Sequence, residues 1–359
     1  MGWRVAGHER GDLRLNGVMV SPELYPIGID RRRHLVSFVP MSQDHYRNTS
    51  FLDPGAPSVT PGAYTFNLDD LLLYGLHVPS QMAPVHYVFH TAYCCSTLLS
   101  RYLDLIPPCF VLREPGLLAQ IAMLRPSRHP AANVARRLAG TEEWQALMDL
   151  ALRLLTRTYA AKDIVVIKVN DLCNSIGDAL LQVDDRSKIV FLYVPLKTFI
   201  LSVLKSQSRR VWLRRRLRDT RKAAEAFPEL ASVDPAGLRD AEGAAYLWVL
   251  NNALYNDLRR GKHAGRVLAF NGEGVADTPK MAVAAIAAFF ELALSEQTLS
   301  QVLAHPHVSR YSKDLSLEYD SESRRHALTE MQAQFGMEAE RGVEWAYGIK
   351  QILEFESAE

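Results

Sequence analysis

The sequence predicts an α/β protein with three layers. A parallel sheet is covered by helices on both faces, and a small β-rich extension precedes it. Three observations carry this. Short apolar runs recur within His86–Phe89, Ile164–Val169 and Ser187–Val194, as in strands buried on both faces. Each is followed by a stretch of helical periodicity, and strands alternating with helices build parallel sheets. Polar residues gather where the runs stop, and in such sheets ligands bind at the carboxyl ends of the strands.

Taken in order, residues 1 to about 50 read as β-rich. Leu13, Leu15 and Val18–Val20 lead into the alternating strand Leu35–Val39, with Arg31-Arg32-Arg33 as a solvated turn or a binding site. Asp53-Pro-Gly and Thr60-Pro-Gly mark a loop. Asn67–Leu73 opens a short helix capped by Asn67 or Asp69. After His86–Phe89, the set Leu98, Leu99, Tyr102 and Leu103 forms one helical stripe. Phe110–Leu112 is a strand ending at Arg113-Glu114, and Pro115 suits the first turn of a helix over 116–124. Helices are expected over 132–161, from Leu196 to about Leu217, over 241–260 and over 281–294, with a strand at 266–270. The chain reads as an extension over 1–80, an α/β domain over 81–320 and a charged helical segment over 321–359. No internal repeat is present.

Composition narrows the function. The chain has 359 residues, 48% hydrophobic and 23% charged, with a formal net charge of +1. Those values suit a soluble globular protein and argue against a general nucleic-acid binder. No run approaches the roughly 18 apolar residues of a membrane span, so no membrane partner is expected. The first residues lack the apolar core of a signal peptide. Cys94, Cys95, Cys109 and Cys173 form no C-x-x-C pair, which predicts neither a metal site nor a disulfide framework. A reducing, cytoplasmic compartment is the expectation.

The chemistry-bearing stretch is 86–104. Strand, short polar loop, helix is the arrangement of a phosphate-binding, P-loop-type site, because a helix N-terminus offers unpaired N–H groups and partial positive charge. Ser96 and Thr97 stand where their hydroxyls cap that helix or touch a phosphate. The loop is not a Walker loop, for Thr91–Thr97 holds neither Gly nor Lys. A plain capped turn is the competing reading. The strand-end rule then gathers the loop, Glu114, Lys168 and the helix start after Tyr193 at one edge.

Several features together resemble the sulfotransferase superfamily over about residues 85–315. Tyr93-Cys94-Cys95-Ser96-Thr97-Leu98-Leu99 matches the family's first loop, and Phe191–Ser202 keeps the strand, a Pro and the Ser of its second motif. Asn271-Gly-Glu-Gly-Val, Pro279 and Ile286–Leu292 resemble a later segment, and Tyr311-Ser-Lys313-Asp a C-terminal one. The resemblance implies a P-loop-type fold that binds PAPS (3′-phosphoadenosine 5′-phosphosulfate) and leaves PAP as product. It implies transfer of a sulfuryl group to a hydroxyl or amine of a small-molecule or peptide acceptor. Cofactor contacts would fall on Tyr93, Cys94, Cys95, Ser96, Thr97, Ser202, Arg209, Arg210 and Lys313. Glu114 would be the base with His90 as rival, and Lys168 would stabilise bridging charge.

The chain departs from the pattern. Tyr93 stands where the family has a basic residue, and Cys95 where it has Gly, costly if that position needs positive φ. Val194 replaces the 3′-phosphate Arg, for which Lys197, Lys205, Arg209 or Arg210 could substitute. Each residue also has a structural reading: Glu114 in a salt bridge with Arg113 or as a helix cap, Lys168 as a solvated strand end, His90 bonded locally, and the Arg209–Arg218 run as a solvated helix face. Two other functions stay open: a non-catalytic nucleotide- or peptide-binding protein, and a P-loop phosphotransferase.

Overall fold

A computed structural model describes residues 15–52, 63–77, 82–127, 134–308 and 321–349. Of the loop expected over 53–65, residues 53–62 lie outside the described residues, as does the Tyr311–Asp314 segment with Lys313, while Tyr64 and Thr65 belong to a strand. Eight strands are present among them: β1 (Leu24–Asp30), β2 (Leu35–Pro40), β3 (Tyr64–Asn67), β4 (Val85–His90), β5 (Cys109–Arg113), β6 (Ile164–Lys168), β7 (Ile189–Tyr193) and β8 (Val267–Asn271). They form an antiparallel sheet β1-β2-β3 and a five-stranded parallel sheet in the order β5-β6-β4-β7-β8, flanked by helices. The α/β class and the β-rich N-terminal part are as expected. Every residue of β4 is buried, which is why its sequence shows no alternation.

The chain divides into two compact units. The first comprises residues 1–87, 103–126 and 133–188. In it β1 and β2 pair from Leu24↔Pro40 to Asp30↔Leu35, and β2 continues to β3 through Leu35↔Asn67. The pairing of β1 shifts register between Pro26 and Gly28. The helix Gly116–Leu124 closes on this sheet, and Gln120 Oε1 accepts the Ile29 N–H at 2.9 Å. A Cβ on Gly28 would lie 2.7 Å from the Gln120 amide nitrogen, so this position has no room for a side chain unless Gln120 moves. β5 and β6 pair in parallel from Cys109↔Ile164 to Arg113↔Lys168.

The second unit comprises residues 88–102, 127–132 and 189–359. β7 and β8 pair in parallel from Ile189↔Val267 to Tyr193↔Asn271. The helix Asp240–Arg260 packs against Leu196–Leu204 and Ser321–Tyr347. Trp248 donates its indole N–H to the Val194 carbonyl at 2.8 Å, which satisfies the one polar atom of that buried ring.

Several elements differ from the sequence reading, among them a helix at Gln43–Asn48 in the part read as β-rich. Leu15–Val20 is a short helix rather than a strand; the Arg157 guanidinium donates to the Val18 carbonyl, so a tertiary bond outweighs the β-propensity of two valines. The helix expected over 196–217 is two, Leu196–Leu204 and Gln207–Asp219. Ser206 stands between them in extended backbone (φ −149°, ψ 154°), and its side chain accepts the Arg209 N–H, a new N-cap. The helix expected over 281–294 runs Pro279–Phe289, because Glu291 takes a left-handed conformation at φ 58°.

Candidate functional site

In the second unit, β4 ends at His90 and the helix Ser96–Asp104 begins a few residues later. His90 Nδ1 accepts the Ala92 N–H at 2.9 Å, so a neutral ring carries its proton on Nε2. The Thr91 N–H donates to the Leu192 carbonyl at 3.0 Å, and the buried Cys94 thiol reaches the same oxygen at 3.5 Å. Between these ties the backbone turns sharply. Ala92, Tyr93 and Cys95 have φ of 69°, 52° and 61°. None is glycine, so each sits in a region that L-residues enter at a cost. Left-handed residues in such loops are one way that backbone N–H groups are brought together for an anion. The position where positive φ would make Cys expensive does have positive φ.

The first turn of the helix holds Ser96 and Thr97, both buried (5% and 4% exposed), and no acidic residue. The Thr97 carbonyl is taken by Ser100 Oγ at 2.7 Å. Burial raises the Tyr102 phenol above its usual range, and the charge of Cys95 raises it further. The other wall of the loop is the end of β8. The Gly272 N–H donates to the Tyr193 carbonyl at 2.7 Å, and a Cβ on Gly272 would sit 2.1 Å from the Cys94 carbonyl oxygen. Only a residue without a side chain lets the two backbones meet there. In the sequence Asn271-Gly appeared only as part of the segment that resembles a later family motif, and nothing showed that the loop rests on it.

Tyr93 reaches to the Gln207–Asp219 helix. The Arg209 guanidinium lies over the Tyr93 ring, 4.4 Å from its centroid, within cation–π range. The same ring meets Trp212 edge-on at 5.1 Å and tilts toward Phe199 at 6.4 Å. Arg209 donates to the backbone carbonyl of the buried Ser202 at 2.5 Å. Arg210 points elsewhere: it pairs with Asp240 at 2.9 Å and Glu338 at 3.3 Å. Burial alone would lower its basicity, but those two carboxylates hold it above the ordinary value. Arg214 shares Asp240 at 2.5 Å, and Lys197 pairs with Glu340 at 2.5 Å.

In the first unit, the ends of β5 and β6 form a second polar group. Lys168 closes β6 with 1% of its side chain exposed and pairs with Glu114, whose side chain is 17% exposed. Asn170 donates to the other Glu114 oxygen at 3.1 Å, and Lys168 lies 5.6 Å from the Phe51 ring centroid. Glu114 itself has φ 52°, with its N–H on the Lys168 carbonyl at 2.6 Å. Arg113 turns away, pairing with Asp104 at 2.8 Å and donating to the Tyr46 carbonyl at 2.9 Å. Glu114 is thus bridged to Lys168 rather than to Arg113. Asn170 follows the end of β6 in the sequence, where nothing marks it as a partner of the Glu114 carboxylate.

No protein-family model matches the chain, and no curated protein sequence matches it. Solved structures do. A sulfotransferase from Alicyclobacillus acidocaldarius is 14% identical at a TM-score of 0.35, covering 74% of this chain and 96% of its own. The sulfotransferase STF1 of Mycobacterium tuberculosis is 14% identical at 0.38, covering 73% and 78%. Mouse sulfotransferase SULT7A1, solved with PAP, is 10% identical at 0.31, covering 79% and 96%. At such scores the likeness assigns neither a family nor an activity, and the fold stands on the strand order given above.

Proposed function

We propose that the protein is a sulfotransferase that moves a sulfuryl group from PAPS to a hydroxyl or amine of a small-molecule or peptide acceptor. The observation that carries this reading is the loop after β4, where Ala92, Tyr93 and Cys95 all hold positive φ directly before a helix whose first turn buries two hydroxyls. Left-handed non-glycine residues persist where the surroundings enforce them, and they concentrate at ligand sites. The donor set suits an anion: backbone N–H groups, the Ser96 and Thr97 hydroxyls, and a helix start free of acidic side chains. The order of the sequence motifs favours a phosphosulfate, and a loop without Gly or Lys argues against a Walker-type nucleotide.

Ser96, Thr97 and the loop amides would hold the 5′-phosphosulfate end. When bound, PAPS supplies the activated sulfuryl group. Glu114 would accept the acceptor's proton. Lys168 and Asn170 fix its carboxylate through both oxygens, so its orientation is set before an acceptor arrives. His90 spends Nδ1 on the loop backbone, which supports a part in shaping the loop over a part as base.

A thermal-shift comparison tests this, since a ligand of the native state raises apparent stability by mass action. PAP is expected to stabilise the protein more than ATP does, without added Mg²⁺. Equal or greater stabilisation by Mg-ATP would move the reading to phosphoryl transfer.

A further inference from the structure

The Gln207–Asp219 helix carries several arginines whose situations differ. Arg210 and Arg214 are neutralised by Asp240, and Arg210 also by Glu338. Arg216 is buried, its guanidinium 5.7 Å from the Trp212 ring centroid. Arg209 is half-buried, and among the described residues no carboxylate pairs with it. One Nη is committed to the Ser202 carbonyl, and the guanidinium plane rests on Tyr93. A partly buried guanidinium held in one place, with no carboxylate on it among the described residues, is placed to take an incoming anion as its counter-charge.

Tyr93 is the residue that links this cation to the loop. It belongs to the loop by its backbone, with φ 52°. Its ring is gripped by Trp212 and Phe199 and offers a face to Arg209. We infer that Arg209 supplies the positive charge of the anion site, and that Tyr93 is the positioning residue that holds it there from within the loop. The ligand class is a terminal phosphate or phosphosulfate bound jointly by the loop amides and a guanidinium. A guanidinium gives planar, two-pronged contact, where a lysine would give a point charge. The inference rests on the anion-binding reading of the loop but not on the nucleotide.

Calorimetric titration of the full chain with inorganic pyrophosphate, and separately with PAP, tests it. Arg209→Gln and Tyr93→Leu are each expected to weaken pyrophosphate binding by about tenfold or more, the scale of one charge-assisted contact. Tyr93→Phe keeps the ring and should bind like the wild type. The double variant Arg209→Gln with Tyr93→Lys should recover most of the lost affinity, because it returns a cation to the loop by another route; a purely structural role for Tyr93 gives no such rescue. The loss in Arg209→Gln should shrink as salt rises, as for a screened charge. Arg209→Gln binding within about twofold of wild type would overturn the inference while leaving PAP binding to judge the nucleotide reading. Pyrophosphate binding that depends on Arg209, with no PAP binding, would support the inference and overturn that reading. Binding of neither ligand by the wild type would overturn both.

Discussion

The charges at the ends of β5 and β6 are closed, while those around the loop after β4 are open. In the first unit, at these strand ends, Lys168 is paired with Glu114 and Arg113 with Asp104. In the second, Arg209 leans on an aromatic ring and a carbonyl, beside a backbone bent into left-handed conformations without glycine. A neutralised pair needs nothing from outside and holds its members in fixed orientation. A cation that meets no carboxylate among the described residues, beside a loop that runs into a helix N-terminus, can be completed by an anion. The first arrangement suits a group that must be poised, such as a base; the second suits a group that must receive.

The largest effect that separates the two is expected at Glu114. Glu114→Gln keeps size and hydrogen bonding but cannot take a proton at neutral pH. Turnover of labelled PAPS should fall by about 10²-fold or more, with PAP affinity unchanged. The change also leaves Lys168 buried without its counter-charge. Breaking a fully buried pair costs about 3–5 kcal/mol; here the carboxylate side is 17% exposed and Gln still accepts a bond, so about 2 kcal/mol is expected. Adding Lys168→Met should return most of the stability and none of the turnover, which urea unfolding and the transfer assay read independently. Near-normal turnover in Glu114→Gln would remove Glu114 from the mechanism and leave His90 as the next candidate.

Gly272→Ala attacks the open side. The added methyl would start 2.1 Å from the Cys94 carbonyl, so the loop or the end of β8 must shift. A stability loss of about 1–3 kcal/mol, the usual cost of overpacking, should accompany weakened PAP binding. A loss of stability with PAP affinity intact would show that the loop tolerates displacement. Ser96→Ala and Thr97→Ala are gentler. Each should weaken PAP binding by about 1–3 kcal/mol if its hydroxyl meets charged oxygen, with far-UV circular dichroism almost unchanged. A fall in Tm without change in PAP affinity would point to plain capping.

The strands of the parallel sheet and most helices were legible because a strand buried on both faces is largely apolar, as Tyr87–Phe89 and Ile164–Ile167 are. The break at Ser206 was not, since one capping serine inside a continuous helical pattern reads as an ordinary helix residue. The site was legible as a set of strand ends, for that follows from topology alone. Its wiring was not. Which strand-end carboxylate meets which lysine depends on register, and the Arg113↔Lys168 pairing places Glu114 one residue further on, beside Lys168. The Tyr93–Arg209 stack joins residues far apart in sequence, and an aromatic residue in place of a loop cation looked like a simple loss.

The smallest expected effect is at Cys95, and it asks whether the open side is held under strain. A non-glycine residue in the left-handed region costs about 1–2 kcal/mol, and Cys95 has φ 61°. Glycine removes that cost but gives the unfolded chain more freedom, about 0.5–1 kcal/mol. Cys95 is only partly buried, so little packing is lost. The terms nearly cancel, and Cys95→Gly should gain roughly 0.5 kcal/mol, a rise in Tm of about 1–2 °C. Cys95→Ala is the control: it loses the sulfur but keeps the steric cost, so it should gain nothing. If glycine and alanine shift Tm alike, the sulfur matters and the dihedral does not. If glycine alone stabilises while PAP binding weakens, the strain is part of how the loop keeps its N–H groups aligned. That last result would set this side of the molecule apart from the Glu114–Lys168 pair, whose order comes from a partnered charge rather than from a bent backbone.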